Sequence, residues 1–292
     1  MPEATLTTPL SVPASGLRRL GARLWIIAVW ATLIFFIVNL FGIILSVVTS
    51  SFATRWLRAW LPQGFTTHWY LDAWSEFQLG DVLTVTFEVV GAVVLLSGLI
   101  GVPAAYALAR RHFPGRSAVM LVILLPLLVP PITYGIPLAT VLYQYGVGGT
   151  LTGVILANIV PTVPFVILVM IPFIEQIDPR LESAARVFGA STGRMFIHVL
   201  LPLLLPGMLA ALLLVLVRTI AMFELTFLTA GPDSQTLVVA LYYAVFASGV
   251  RAVQSVDAMA VVYMVLTMIW LVIALRFVNP TQIVTRGKQP QA

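Results

Sequence analysis

Few side chains in this sequence are equipped for chemistry, and the most conspicuous of them sit where water is scarce. Glu88, Arg218 and Glu224 are ionisable residues inside long apolar runs, where an unpaired, lipid-facing charge costs at least about 2.5 kcal/mol. They are expected to face inward, either as members of a translocation path or as structural pairs, Arg218 with Glu88 from another run being one such pair. Arg218 and Glu224 are six residues apart, about 240° around a helix of 3.6 residues per turn, so they do not form a simple intrahelical pair. Pro126, Pro130, Pro131 and Pro137, with Thr133 and Tyr134 beside them, are expected to interrupt the third apolar run, and Pro161, Pro164 and Pro172 the fourth. Backbone groups freed at such depth are tolerated only inside protein or against water, so Glu88, Tyr134, Arg218 and Glu224 are the path candidates.

Catalysis finds little support. The chain has no cysteine, which removes disulfides and thiolate metal sites, and its three histidines, His68, His112 and His198, have no ligand spacing. No metal site and no catalytic residue is expected, because no nucleophile, base or metal-ligand constellation is visible in the loops. The only lysine, Lys288, follows Gly287 but precedes Gln289, so no G-x-x-x-x-G-K-[ST] phosphate loop exists.

The second chemical feature is a polar island, residues 178–189. Asp178 is suited to cap a helix that begins at Pro179, where the missing N–H costs nothing, and Glu182 lies near the positive end of the helix dipole. Leu181, Ala184, Ala185 and Phe188 recur at helical spacing and are expected to form one face, with Arg180 and Arg186 off it. Gly189 fits the left-handed position that ends a helix, and Ser191 or Thr192 can open another. The apolar face is too small to fold alone and suits a groove on a partner; a connector lying on lipid headgroups is the alternative.

The elements that carry these residues are set by composition. Of 292 residues, 60% are hydrophobic and 9% charged, far below the roughly 25% charged residues of an ordinary globular domain. Six continuous apolar runs, 24–48, 82–109, 117–143, 147–173, 196–230 and 258–278, approach or exceed the about 20 residues of a helical span, and lack the alternation of a barrel. The expected class is an all-α integral membrane protein with six transmembrane helices. Arg18, Arg19, Arg23, Arg110, Arg111, Arg116, Arg180, Arg186, Arg194, Arg276, Arg286 and Lys288 fall on one side of these runs, against Arg55, Arg58 and Arg251 on the other. The positive-inside bias then places both termini and the island in the cytoplasm, and the net charge of +5 reads as an orientation signal rather than nucleic-acid binding. The first run is too long for a signal-peptide core. Residues 1–23 and 279–292 are expected to be cytoplasmic tails. Residues 24–80 hold the first span and a segment rich in aromatics (Trp56, Trp60, Trp69, Trp74 and Tyr70), either an interfacial anchor or a docking surface for an extracytoplasmic partner. Residues 81–278 form a five-helix core.

Ser183-Ala184-Ala185, Gly189 and Val199-Leu200-Leu201-Pro202 resemble the E-A-A-x3-G-x9-I-x-L-P signature of the permease subunits of binding-protein-dependent ABC importers. The stretch from Gly101 to Arg110, and Phe223-Glu224 followed by Thr229-Ala230-Gly231-Pro232, are similar to that family too, most like its spermidine/putrescine and iron(III) subgroup. One departure stands out: Ser183 occupies the position of the signature's glutamate, and the acid is Glu182. The resemblance implies a type I importer permease fold in the bacterial inner membrane, with residues 178–195 holding a coupling helix (Arg180 to Arg186, Phe188 and Gly189) that docks on an ATPase dimer. It also implies a second permease subunit, here expected to be a different chain, an extracytoplasmic solute-binding protein, and no cofactor in this chain, ATP and Mg being bound by the ATPase. Two other classes compete: an ion-coupled secondary transporter using Glu88 and Glu224, which would need no docking helix, and a membrane enzyme. The acids lean toward a cationic or polyol-like solute, Arg218 toward an anion.

Overall fold

In hydrocarbon an apolar run has to satisfy its own backbone, and the long runs here do so as α-helices. The computed structural model describes residues 16–56, 61–246 and 251–277, and the side chains of all of these but 16–20, 22 and 277. Within them lie α1 (Gly16–Phe52), α2 (His68–Glu76), α3 (Leu79–Arg110), α4 (Arg116–Leu128), α5 (Pro131–Gln144), α6 (Leu151–Glu175), α7 (Pro179–Val187) and α8 (Thr192–Met195). A π turn, Phe196–Leu200, leads into α9 (Leu201–Ile220), followed by α10 (Glu224–Thr229), α11 (Leu237–Phe246) and α12 (Val253–Phe277). Among the described residues there is no strand, only an isolated bridge between Ala53 and Phe65. The terminal stretches 1–15 and 278–292, with Arg286 and Lys288, lie outside the described residues, as do Arg58 and Trp60.

Among the described residues, five helical stretches are long and apolar enough to cross a membrane: Arg23–Phe52, Leu79–Arg110, Leu151–Glu175, Thr192–Ile220 and Val253–Arg276. The expected third span, 117–143, is not one helix. It is the pair α4 and α5, bent by 99°, which brings the count to six if the pair is one broken span. Pro130 supplies the reason: it pushes Val129 into an extended conformation (φ −89°, ψ 136°), and Pro131 then starts α5 at a first-turn position that needs no N–H. The expected fifth span is corrected as well. It starts earlier, at Thr192, ends at Ile220, and is followed by the separate short helices α10 and α11. Pro161, Pro164 and Pro172, by contrast, do not interrupt α6, which runs unbroken through all three. Neighbouring helices enclose most of it, and Ala157, whose carbonyl Pro161 frees, is wholly buried in protein.

The core is built around α3 and α6, which pair along most of their lengths, with α9 against both. Val89, Val93, Val102 and Ala105 of α3 meet Val166, Met170 and Ile174 of α6 and Leu204, Ala211 and Val215 of α9 in one buried cluster. Close approach is possible because Gly101 has no side chain: a Cβ there would stand 2.7 Å from Cγ1 of Val166 and 3.4 Å from the Val163 carbonyl. Outside this core, α12 packs on α1, α2 and α9, and the apolar length of α1 is exposed from Leu24 to Leu45.

The aromatic-rich connection after α1 is a folded cap. The Trp69 indole N–H donates to the Ala53 carbonyl at 2.8 Å, and the Tyr70 and Ser51 hydroxyls pair at 2.9 Å. Arg251 joins Glu76 at 3.2 Å and lies over the Phe77 ring, holding the end of α2 against the start of α12. Trp69 and Tyr70 therefore hold the cap together, while Phe65, Leu71 and Trp74 remain exposed on it.

Replacing Gly101 tests the α3–α6 contact. Gly101→Val is expected to cost about 1–3 kcal/mol, the usual range for overpacking a closed interface. Thermal unfolding of the detergent-solubilised protein would show this as a lower midpoint, and an unchanged midpoint would mean that the two helices have room to separate.

Candidate functional site

The polar island folds as its sequence suggests and then faces a direction that the sequence does not reveal. The Asp178 side chain accepts from the Arg180 N–H at 2.9 Å, which satisfies one orphan donor of the first turn of α7. At the other end Gly189 adopts φ 82°, the Gly189 N–H donates to the Arg186 carbonyl at 2.9 Å, and the Ala190 N–H reaches back to the Ala185 carbonyl at 3.0 Å. That pair of bonds is a Schellman termination, closed by the half-buried Ala185 and Ala190. Ser191 then caps α8 through the Arg194 N–H.

The expected apolar face is not a buried face. Phe188 and Val187 are 90% and 85% exposed, Leu181 is 45% exposed, and Ala184 is exposed too, whereas the buried member of α7 is Glu182, 7% exposed. Arg180, Ser183, Arg186 and Gly189 lie open, Ser183 making only a 3.4 Å bond to the Pro179 carbonyl of its own helix. So α7 turns its carboxylate into the protein and its phenylalanine out of it.

Glu182 is buried because α3 supplies partners at one end of its length. The Tyr106 hydroxyl donates to Oε2 at 2.8 Å and the Arg110 Nε to Oε1 at 2.7 Å. The same guanidinium donates to the Ile177 carbonyl at 2.6 Å, between α6 and α7. Tyr106 and Arg110 are one helical turn apart on α3, which puts both on the side facing α7. Arg116, at the start of α4, approaches Glu175 at 3.9 Å. One end of the molecule thus gathers Arg110, Arg116, Arg180 and Arg186 around α7. Sequence reasoning passed over Arg110 and Tyr106 as partners; their spacing of four was the available signal, but nothing in it names Glu182.

The path candidates separate into a group and an outlier. Tyr134 of α5 has both Arg218, near the end of α9, and Glu224, at the start of α10, within electrostatic reach, and its hydroxyl is buried without a hydrogen-bond partner. Arg218 has no carboxylate within 4.0 Å among the described residues; its guanidinium stands 5.2 Å from the centre of the Phe165 ring of α6. Pairing with Glu88 is therefore not what this structure shows. Glu88 is exposed on α3, inside the apolar span. Beside Glu224, Phe223 and Phe227 stack at 5.1 Å and meet Tyr242 of α11, an aromatic group that the sequence scatters over 20 residues. Among the described residues no cluster of histidine, aspartate or glutamate could hold a metal ion.

Comparison with known proteins places this arrangement. The family described as the binding-protein-dependent transport system inner membrane component matches residues 98–283. The diacetylchitobiose uptake system permease protein NgcG of Streptomyces coelicolor is 32% identical over 168 residues, 56% of each chain. The molybdenum transport system permease protein ModB of Haemophilus influenzae is 34% identical over 179 residues, 56% of this chain and 78% of that one. The sulfate transport system permease protein CysW of Synechocystis is 31% identical over 171 residues, 53% and 60%. The match thus spans little more than half the length of NgcG and CysW. A chain in the crystal structure of a bacterial ABC transporter involved in the import of the acidic polysaccharide alginate shares the fold with a TM-score of 0.71 at 17% identity, over 88% of this chain and 97% of that one. The long apolar helices, the shared fold and the family match agree: this is a multi-pass, all-α membrane protein with the type I importer permease fold, and it belongs to the family of inner membrane components of binding-protein-dependent transport systems.

Proposed function

We propose that this chain is a permease subunit of an ATP-driven importer, forming the path for a small solute delivered by an extracytoplasmic binding protein and taking its energy from a separate ATPase dimer that binds ATP and Mg. The observation that carries this reading is α7, a capped helix with Phe188 and Val187 almost fully exposed on a polar end of the molecule. Such a face leaves apolar surface open to water and fits a groove on a folded partner. Its exposed charges, Arg180 and Arg186, are basic, so the matching groove is apolar with an acidic rim. Without a phosphate loop in the chain, the ATPase is another subunit. The arginine excess at the α7 end supports a cytoplasmic location for that end and for both tails.

Glu88 supports a second permease. A carboxylate exposed within the span is too costly against lipid, so it faces a neighbouring subunit or the aqueous path between the two. We take that neighbour to be an unlike chain. The group of Tyr134, Phe165, Arg218 and Glu224 lines the path on this side. Arg218, with no carboxylate partner at ion-pair distance, favours an anionic solute, the class suggested by the relatives named for molybdenum and sulfate, over the cation that the acids alone would suit.

Docking through packing has a direct consequence. Phe188→Asp is expected to abolish copurification of the ATPase, and Gly189→Val to weaken it by forcing a β-branched residue to φ 82°, whereas Ser183→Ala leaves assembly and transport unchanged. Loss of transport in Ser183→Ala beside normal transport in Phe188→Asp would refute it. Reporter fusions after Lys288 and at Gly148 test the orientation, the first expected in the cytoplasm and the second outside.

The path assignment predicts a charge dependence. In proteoliposomes containing the assembled complex and its binding protein, Arg218→Gln should lower molybdate or sulfate uptake by about tenfold per complex, with Glu224→Gln milder. A greater loss in Glu224→Gln would assign a cation, and no uptake of either oxyanion by the unaltered complex would remove the anionic assignment.

A further inference from the structure

The buried contact between α7 and α3 has no role in docking, since it lies on the side of α7 turned away from the exposed phenylalanine. We infer that Glu182 is a positioning residue that fastens α7 to α3, so that displacement of the docking helix moves α3 and the end of α6 as one body, with α9 carried by its packing on both. The inference rests on the reading of α7 as the docking helix.

Three bonds make the fastening. Tyr106 and Arg110 hold the two oxygens of Glu182, and Arg110 also holds the Ile177 carbonyl where α6 gives way to α7. The Arg110 and Glu182 side chains are only 14% and 9% exposed, so solvent ions screen the pair little. Charge-assisted bonds of this length are strong and directional, and their three acceptor sites leave α7 little freedom to rotate on α3. Arg186 is the other charged group facing Tyr106, from α7 itself.

The covalent route to α9 is built differently. After the Gly189 turn, α8 is held by a 3.4 Å cap from Ser191, and it passes into the π turn, where the Leu201 N–H donates to the Phe196 carbonyl five residues back. Pro202 follows and has no N–H to give to His198, which leaves the turn widened and under-bonded. Such π turns are places where a helix yields. A push on Phe188 therefore reaches α3 through short ionic bonds, and α9 through its packing on α3 and α6 rather than along the soft turn.

Because the chain has no cysteine, paired spin labels can be introduced at Arg111→Cys and Ser183→Cys, both exposed and flanking the contact. In the complex purified with its ATPase, electron-electron double resonance should give one narrow distance that is the same without nucleotide and after trapping with ATP and vanadate. Glu182→Ala should broaden that distribution about twofold while the ATPase still copurifies, and Glu182→Arg combined with Arg110→Glu should narrow it again. Tyr106→Phe keeps the ring on Phe196, 5.4 Å away, and removes one bond; it should broaden the distribution less and serves if Glu182→Ala fails to accumulate. A distance that shifts on trapping in the unaltered pair, or an unchanged width in both Glu182→Ala and Tyr106→Phe, overturns the inference. Failure of the docking reading has a separate signature, retention of the ATPase by Phe188→Asp, and leaves the nucleotide-free distances as a valid test of the fastening.

Discussion

The close approach of α3 to α6 is the contact on which the rest of the molecule depends. Lipid tails are as apolar as leucine, so helices in a bilayer gain little by hiding apolar surface and associate instead by fitting closely. Gly101 lets α3 settle against Val166 and the Val163 carbonyl, and Gly98 receives the end of Leu212 from α9. Once α3 and α6 are in register, their ends at one side fall together, bringing Arg110 to the Ile177 carbonyl and to Glu182. Helix α7 owes its place to a packing contact within the span.

The other end of α6 is anchored by the same logic with different groups. Asn158, wholly buried, donates to Thr226 of α10 at 3.1 Å, and the Thr86 hydroxyl of α3 accepts from the Leu237 N–H at the start of α11 at 2.9 Å. These bonds hold the broken segments after α9 where lipid would otherwise meet bare backbone. Helix α6 has 25 residues, a rod of about 37 Å at 1.5 Å per residue. One end of the rod contacts the α7 assembly through Ile177, and farther along it Phe165 lies under Arg218. Rigid secondary elements are one carrier of coupling between distant sites, and α6 is such an element.

Much of this was legible because it depends on local rules. Asp178, Pro179 and Gly189 specify a helix by cap, first-turn proline and left-handed stop, and the structure follows each. The broken third span was foreshadowed by Pro130 and Pro131, though not its 99° bend. The breaks that eluded the sequence are those without punctuation: Ala221, Met222 and Phe223 contain neither glycine nor proline, yet α9 ends there, because the following residues are held by α5, α6 and α11 instead of continuing a helix. The proline-rich α6 misled in the opposite direction, since enclosure by neighbours outweighs the loss of single hydrogen bonds. The orientation of α7 was also hidden. Helical spacing groups Leu181 with Phe188, but which side faces the protein is decided by Tyr106 and Arg110, more than 70 residues earlier.

The position of the acid on α7 settles what that helix has available for a partner. Ser183, where an acid would project outward, is exposed and neutral, while Glu182, one position earlier and about 100° around the helix, is committed to Arg110 inside the chain. A buried ion pair of this kind adds little net stability when formed, since desolvation offsets most of the attraction, yet losing one partner strands the other charge at a cost of about 3–5 kcal/mol. Its effect is therefore on orientation: any rotation of α7 that withdrew Glu182 from Arg110 would bury an unpaired charge. The surface left to α7 is then apolar at Phe188 and Val187 and basic at Arg180 and Arg186. On the docking proposed above, recognition is by shape and apolar contact on the outside, with the acid at position 182 rather than 183 fixing the angle from the inside.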